Sequence, residues 1–320
     1  MTLATSAFTT YSAIGNREDL TDDIYRVEPT KTPFYTGIAR GSAKAVNHEW
    51  QTQALAAAAA NAQLEGDDAI AANATTPTGR LGNICQILRK SPRVTGTQQA
   101  VDHAGRDDEM AYQEMLKGLE LKRDLEFAMV NTPTAKVSGD STTARKLANV
   151  MAWIKTNTEK GGGTGADPTA ADGTIARVDS ATLTAFTEAQ VKSVIKKAYD
   201  AGGNPDTIML NSFNKQQFST FTGRGTPTQD QASKKITAAV DTYESDFGRF
   251  KVVPNQFMRQ RDVFVLDMDM WAYAPLPGRS FTSFVPAKTG DSDAKIIITE
   301  ATLESRNEKS SGGIFDLTTA

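Results

Sequence analysis

The sequence has few of the residues on which disulfide frameworks and zinc sites depend. It contains one cysteine, Cys85, and two histidines, His48 and His103, among 320 residues. A single cysteine excludes an internal disulfide, and these three side chains match no common set of zinc ligands. Cys85 lies in an apolar run, so we expect a small buried hydrophobic residue rather than a nucleophile. We expect His48, on a predicted strand, to be a packed or surface residue.

The sequence also lacks long apolar runs and an excess of basic residues. No apolar run approaches the roughly 18 residues that span a bilayer, and the N-terminal residues do not resemble a signal peptide. The net charge is -3, and no basic stripe of the kind found in sequence-specific DNA-binding proteins is present. We therefore expect a protein that is made and folded in a cytoplasm, with no membrane partner.

Motifs for nucleophilic catalysis and phosphate binding are missing as well. Neither histidine is accompanied by a Gly-x-Ser-x-Gly motif. The glycine-rich tract 161–174 lacks the Gly-Lys-Ser/Thr that ends a phosphate-binding loop. The sequence therefore predicts no catalytic residues, no cofactor and no enzymatic activity.

Paired acids are the remaining candidates for metal binding. We interpret three of the four sets as loop tips or helix starts: Asp22-Asp23, Asp67-Asp68 and Asp107-Asp108. In Asp267-Met268-Asp269 the two carboxylates would share one face of a strand, but the glycine and later glutamate of a calcium loop are absent. We therefore expect no metal site.

In residues 15–50, apolar side chains are scattered singly among acids and turn formers. Pro29 and Pro33 oppose both a regular helix and a central strand. This low apolar density is typical of a segment that becomes ordered only on assembly. We interpret residues 1–44 as an N-terminal arm that crosses a neighbouring subunit, and we expect deletion through Arg40 to leave a folded core.

Two strand-like runs, 45–50 and 83–88, flank a stretch rich in alanine and polar residues. Alanines within 54–61 favour a helix by propensity alone, but the flanking runs indicate a long protruding hairpin within 45–100. We expect this hairpin to lie over the adjacent subunit. A basic cluster near its returning base is either a solvated strand end or an intersubunit salt-bridge patch; its members are Arg89, Lys90 and Arg93.

The clearest predicted helix covers residues 105–130, with acids near its start and bases nearer its end. Its apolar residues form two stripes on opposite sides, so we expect a sheet to cover one side and a second layer or subunit to cover the other. One stripe contains Tyr112, Met115, Leu116, Leu119, Phe127 and Val130, and the other contains Met110, Leu121, Leu125 and Ala128. Arg123 and Glu126 interrupt the first stripe, which argues against a coiled coil.

Residues 131–180 show the one clear shift in composition. Residues 146–154 favour a short helix, and the glycine-rich tract that follows predicts a loop. An inserted or extra surface domain would lie in this region. We place it with the long helix in a unit covering 101–185.

A helix–strand–helix unit follows. Thr187 and Gln190 satisfy the capping-box pattern, and Phe186 with Val191 forms a hydrophobic staple. The helix is expected to end at Gly202, before a short apolar strand at 207–210, and Asn211 or Ser212 can cap the next helix. Strands are then predicted at 236–243, 249–253, 263–267, 270–274 and 294–300, with a turn at 246–248.

Three passages resemble the Hong Kong 97-type major capsid proteins of tailed bacteriophages: residues 15–50, the segment DFGRFKVVPN at 246–255, and residues 294–309. The order of arm, hairpin, long helix and α/β unit is also similar. This resemblance implies an α+β fold with an N-terminal arm, an extended β-hairpin loop, a peripheral domain with a long spine helix at 105–130, an axial α/β domain at 186–275, and return strands to the peripheral domain at 276–320.

The resemblance further implies a shell protein that assembles as hexamers and pentamers around double-stranded DNA, without sequence specificity. Expected partners are a portal protein, a decoration protein and a separate scaffolding protein, because little sequence precedes the arm. Some shells of this fold are joined by lysine–asparagine isopeptide bonds. Residues between Gln51 and Leu88 include no lysine, so we expect non-covalent contacts. Two alternatives stay open here: an encapsulin-like cellular nanocompartment and a soluble α/β enzyme.

Overall fold

The computed structural model describes residues 30–62, 65–66, 75–221 and 241–319. Most of the predicted arm, the acid pairs Asp22-Asp23 and Asp67-Asp68, and most of the predicted strand 236–243 lie outside these ranges. The helices are α1 (Pro33–Gly37), α2 (Gly96–Ala100), α3 (Glu109–Val130), α4 (Val150–Trp153), α5 (Glu188–Asp200) and α6 (Ser212–Phe218). Helices and sheets together give the mixed α+β fold expected from the sequence. In the part of the chain that is described, no helix has both the length and the apolar character to cross a membrane.

Fifteen strands connect these helices in the described ranges. They are β1 (Ala39–Arg40), β2 (Asn47–Thr52), β3 (Gly79–Ile84), β4 (Gln86–Lys90), β5 (Arg93–Thr95), β6 (Thr158–Lys160), β7 (Thr207–Leu210), β8 (Thr242–Ser245), β9 (Gly248–Pro254), β10 (Val263–Leu266), β11 (Trp271–Pro275), β12 (Thr282–Phe284), β13 (Ser292–Ala294), β14 (Ile296–Ser305) and β15 (Gly312–Phe315).

The long strand β14 organises a five-stranded sheet. β11 and β12 pair with successive parts of one edge of β14, β4 pairs with the other edge, and β1 adds to β11. Helix α3 packs against this sheet on the side of Tyr273 and Leu303, both of which are buried. The hairpin β2–β3 pairs antiparallel over six residues, from Asn47 opposite Ile84 to Thr52 opposite Gly79.

A six-stranded sheet forms the second unit, in the order β6-β15-β10-β7-β9-β8. Its central strands β7 and β10 are buried along their whole length. One face packs against α5 through Val191, Val194 and Ile195. Gln190 Oε1 accepts a hydrogen bond of 2.9 Å from the Thr187 backbone at the start of α5, which is the reciprocal half of the predicted capping box. Phe186 and Val191 lie in one buried cluster, as the staple requires.

Residues 147–154 fill the space between the two sheets. Trp153 and its neighbours are fully buried and belong to a cluster that also contains Phe264 from one sheet and Trp271 from the other. The predicted helix at 146–154 is wrong in length, since only Val150–Trp153 is helical. The backbone N–H groups of Leu147 and Ala148 instead donate to the side chains of Gln86 and Asn83. This part of 131–180 is core and not an inserted surface domain. The tract 161–174 contains no regular helix or strand, as predicted.

Three boundaries differ from the sequence predictions. The long helix begins at Glu109 and not at 105, because Gly105 has φ +74° and Asp108 caps the first turn. The arm does not extend to residue 44, because Phe34 and Ile38 are buried in the core. Residues 276–320 do not return as a block to the five-stranded sheet, because β15 pairs with β10 in the six-stranded sheet.

Candidate assembly surfaces

Side chains of the hairpin β2–β3 join it to the rest of the subunit by hydrogen bonds. Trp50 Nε1 donates to the backbone oxygen of Ser305 at 2.9 Å, and Asn83 Nδ2 donates to the backbone oxygens of Leu303 and Ala148 at 2.7 and 3.1 Å. His48 lies on β2, largely buried, with Nε2 3.4 Å from Glu304 Oε2. It is a packed residue, as expected from the sequence. These contacts fix the hairpin's direction relative to the five-stranded sheet.

After β2, residues 53–62 have no regular structure and are all exposed, and Leu55 is 96% exposed. The alanines do not form the helix that their propensity favours. A short helix without tertiary contacts is only marginally stable in water, and residues 53–62 are not buried against any described part of their own subunit.

Helix α1 is tied to α3 by a buried carboxylate. Glu126 Oε1 accepts from the Phe34 backbone N–H at 2.9 Å and from Asn255 Nδ2 at 2.6 Å, and Oε2 accepts from the Tyr35 backbone N–H at 2.7 Å. Glu126 is fully buried and forms no ion pair with another described residue. Burial therefore raises its pKa, although the three donors oppose the shift. This contact fixes the start of α1 against α3.

A second unpredicted feature is a network of arginines and aspartates that joins the loop 161–180 to the end of the chain. The buried guanidinium of Arg177 bonds both Asp167 and Asp316, and Arg261 Nη2 lies 2.9 Å from Asp316 Oδ1. Arg259 pairs with Asp179 and Asp262. Burial raises the pKa of Asp262 to about 6, even with Arg259 beside it. The network stabilises the loop that the composition suggested was a linker.

The basic cluster near the hairpin's base is divided. Lys90 Nζ pairs within the subunit, at 2.8 Å from Asp124 Oδ2 on α3. Arg89 and Arg93 are exposed and form no ion pair with any residue in the described ranges. Lys90 is therefore neither a solvated strand end nor part of an intersubunit salt-bridge patch. Both interpretations stay open for Arg89 and Arg93.

The long helix buries one of its two predicted apolar stripes more completely than the other. Met110, Leu121 and Leu125 of the second stripe are buried. On the first stripe Val130 is buried, whereas Met115 is 44% exposed and Phe127 is 49% exposed. The described part of one subunit therefore covers the second side of the helix only in part.

The residues considered for chemistry lie in structural positions. Cys85 is buried, and burial together with the nearby charge of Glu300 raises its pKa to about 11, so it is a neutral thiol near pH 7. Asp267 and Asp269 do not share a strand face, because Met268–Met270 forms a 3-10 turn. Asp108 caps α3 through the backbone N–H groups of Met110 and Ala111. Within the described residues, no three acidic, histidine or cysteine side chains form a possible metal site.

Sequence reasoning missed Glu126 and the Arg177 network. One signal for Glu126 was present, because a carboxylate interrupts an apolar stripe of the predicted helix. Its partners, Phe34 and Tyr35, lie more than ninety positions earlier, and no local pattern indicates them. The network had no sequence signal, since its arginines lie far along the chain from most of their partners.

Solved structures with the same fold come from viral and related particle shells. A chain of the Cyanophage A-1(L) capsid has a TM-score of 0.64 at 13% identity, covering 97% of this chain and 99% of that one. A chain from Gordonia phage Cozz has a TM-score of 0.61 at 8% identity, covering 99% and 98%. One from the structure of Phage G gp27 major capsid proteins and gp26 decoration proteins has a TM-score of 0.55 at 10% identity, covering 99% and 100%. The fold is therefore that of a Hong Kong 97-type capsid subunit.

Sequence comparison gives the family. The family model described as SU10 major capsid protein matches residues 4–318, and the chain belongs to this family of tailed-phage proteins that form the capsid shell. The major capsid protein of Escherichia phage Phieco32 is 27% identical over 344 residues, covering 96% of each chain. Of the functions left open by the sequence, the family assignment supports the phage shell over a cellular nanocompartment or a soluble enzyme. The protein is located in the capsid of the virion.

Proposed function

We propose that this subunit closes an icosahedral shell as hexamers and pentamers held by non-covalent contacts alone. The observation that carries this proposal is the hairpin: it protrudes, it exposes Leu55, and it offers no lysine between Gln51 and Leu88 for an isopeptide bond. Arm, hairpin and α3 would each add a weak contact, and simultaneous contacts give multivalent stability. The protein acts by geometry and has no catalytic role in this proposal.

We infer that the two sheets define two domains of the subunit. The five-stranded sheet with α3 corresponds to a peripheral domain, and the six-stranded sheet with α5 and α6 corresponds to an axial domain. The exposed stripe with Met115 and Phe127 is then covered by another subunit. Assembly takes place in the host cytoplasm on a separate scaffolding protein, around a portal protein.

Further partners belong to the finished particle. Double-stranded DNA is enclosed without sequence specificity, which agrees with a net charge of -3 and no basic stripe. The Phage G structure contains gp26 decoration proteins beside its gp27 capsid proteins, and we propose an external decoration protein here by this similarity.

The non-covalent shell is tested on gels. Mature particles, boiled in detergent with reductant, are expected to run as a single band at the mass of one 34.4 kDa chain. A ladder of covalent multimers would contradict the proposal. Micrographs of the same sample before boiling control for the presence of intact shells.

The arm is tested by truncation. Deletion of residues 2–29 is expected to leave thermal unfolding of the unassembled subunit nearly unchanged, because α1 and its buried Phe34 and Ile38 remain. Closed shells should be absent from negative-stain micrographs. Deletion through Arg40 is the comparison, since it removes those two core residues and should prevent folding. Normal shells from the shorter truncation would refute the role of the arm.

A further inference from the structure

The network that holds the loop 161–180 contains one more acid than base. In the described part of the chain its members are Asp167, Asp179, Asp262, Asp316, Arg177, Arg259 and Arg261. Lys160 adds a cation at the margin, where its side chain is 40% exposed and pairs with Asp167. When every group is ionised, the interior of the network has an excess of one negative charge, which is costly where water is excluded.

Three of the four carboxylates have enough donors to remain ionised. Asp316 accepts from two guanidinium groups and from the Ser180 backbone N–H. Asp179 accepts two hydrogen bonds from the Arg259 guanidinium, at 2.6 and 3.0 Å. Asp167 accepts from a guanidinium, an ammonium and a hydroxyl group. Hydrogen bonds to the charged form of a carboxyl group favour that form.

Asp262 is the carboxylate that lacks a donor. It is 1% exposed, and its Oδ2 accepts from Arg259 Nε at 2.6 Å. Its Oδ1 is buried and has no hydrogen-bond partner among the described residues. Asn214 lies beside it, with Nδ2 3.5 Å from the Asp262 backbone oxygen, and Asn214 Oδ1 is also buried without a donor. Buried acceptors without a donor are costly, and one proton on Asp262 supplies a donor at this place.

We propose that Asp262 is protonated when the network is closed, and that loss of this proton loosens the loop 161–180 as the pH rises. The protonated carboxyl group still accepts from Arg259 through one oxygen, while the other becomes a donor for which Asn214 offers an acceptor. The excess negative charge is then absent. The network is thereby a pH-sensitive contact between the loop, the segment 259–262 before β10 and the residue that follows β15. The inference concerns the folded subunit and does not depend on the proposed shell.

The direction of the pKa shifts agrees with this assignment. Burial raises the pKa of Asp262 from its ordinary 3.8 to about 6, although Arg259 opposes the shift. A raised folded-state pKa contributes stability that is complete below 3.8 and is lost as the pH rises through about 6. Asp179 has the opposite sign: burial opposes the shift, but the hydrogen bonds and charge of Arg259 lower its pKa. Its contribution is therefore complete above 3.8 and is lost as the pH falls.

Hydrogen exchange of the unassembled, full-length subunit tests the inference. Protection is measured on peptides from the loop 161–180, after correction for the intrinsic exchange rate at each pH. For openings that expose Asp262, a pKa change from about 6 to 3.8 lowers the protection of the wild-type loop about fiftyfold between pH 4 and pH 7. Protection that stays constant or rises with pH would overturn the inference, and this measurement needs no variant.

The variant Asp262→Asn imitates the protonated carboxyl group, because its amide keeps an acceptor for Arg259 and adds a donor. It is expected to raise the protection of the loop at pH 7 more than about tenfold over the wild type and to remove the decline between pH 4 and pH 7.

Asp179→Asn is the matched control, because Asp179 bonds the same Arg259 guanidinium. Its pKa is lowered, so this variant is expected to reduce the protection of the loop at pH 7. The two variants should therefore act in opposite directions. Reduced protection in both would mean that Asp262 is an ordinary buried ion-pair partner, whose removal destabilises the subunit, and would overturn the inference. An unchanged decline with pH in Asp262→Asn would do the same.

Discussion

Replacing Glu126 by alanine is expected to lower the free energy of unfolding of the unassembled subunit by about 3 kcal/mol. The variant leaves two backbone N–H groups, those of Phe34 and Tyr35, and the Asn255 amide without their acceptor. Phe34 and Asn255 are buried and Tyr35 is half-buried, so these donors lose their acceptor where access to water is limited. Urea unfolding followed by circular dichroism measures the change.

The control is another glutamate on the same helix. Glu120 is half-buried and pairs with Lys117 and Lys90 at the surface, so Glu120→Ala should cost less than about 1 kcal/mol. Equal losses for the two variants would show that Glu126 does not hold α1. The alanine variant should also release the arm, which proteolysis after Lys31 would detect as faster cleavage than in the wild type.

The variant Glu126→Gln removes the charge of the side chain and keeps its shape. The amide keeps an acceptor for Phe34 but presents N–H to the Tyr35 N–H, so we expect a smaller loss than for alanine. Burial raises the pKa of Glu126 above its ordinary value of 4.5. A raised folded-state pKa contributes stability that is complete below 4.5 and is lost as the pH rises through the folded value. The stability of the wild type relative to the Gln variant should therefore fall with rising pH, and a constant difference would contradict this.

Local signals predicted the elements whose contacts are local. The cap and staple at Thr187 and Phe186 gave α5, and the apolar run at 207–210 gave β7, because each depends on neighbours within a few residues. The order of these elements resembles that of a known family, and this resemblance predicted the fold. The start of α3 was missed by four residues because Gly105 looked like part of the acidic start, although its positive φ excludes it from the helix.

Tertiary contacts decided the elements that were predicted wrongly. Residues 146–149 have helical propensity, but the backbone N–H groups of Leu147 and Ala148 donate to the side chains of Gln86 and Asn83. The arm's last residues looked non-globular because single apolar side chains carry no period, yet Phe34 fills a core position. The arm and the hairpin stay predictions as assembly surfaces. The contact of Glu126 with α1 was not predicted, because its partners come from distant parts of the sequence.

Replacing Arg177 by alanine is expected to destabilise the subunit by about 3 to 5 kcal/mol, the usual cost of breaking a buried ion pair by removing one partner. The Arg177 guanidinium is fully buried, bonds Asp167 and Asp316, and stacks 4.1 Å from the centroid of the Phe315 ring. Without it, the buried Asp316 carboxylate keeps Arg261 and the Ser180 N–H, while half of its neutralising charge is gone. A lysine does not reproduce the forked contact, so Arg177→Lys should recover only part of the loss.

Lys160 provides the matched comparison, because its Nζ bonds the same Asp167 at 3.0 Å but its side chain is 40% exposed. Lys160→Ala should cost less than about 1 kcal/mol. Both variants remove a cation from Asp167, but Arg177 is buried and also bonds Asp316, so the difference between them measures what the buried contact with two carboxylates contributes. Because Asp316 follows β15 and Arg177 lies in the loop 161–180, a loss at Arg177 should also expose that loop to protease before global unfolding. Equal costs at the two positions, with the loop still protected, would mean that packing around Phe315 and not the ionic network holds the loop in place.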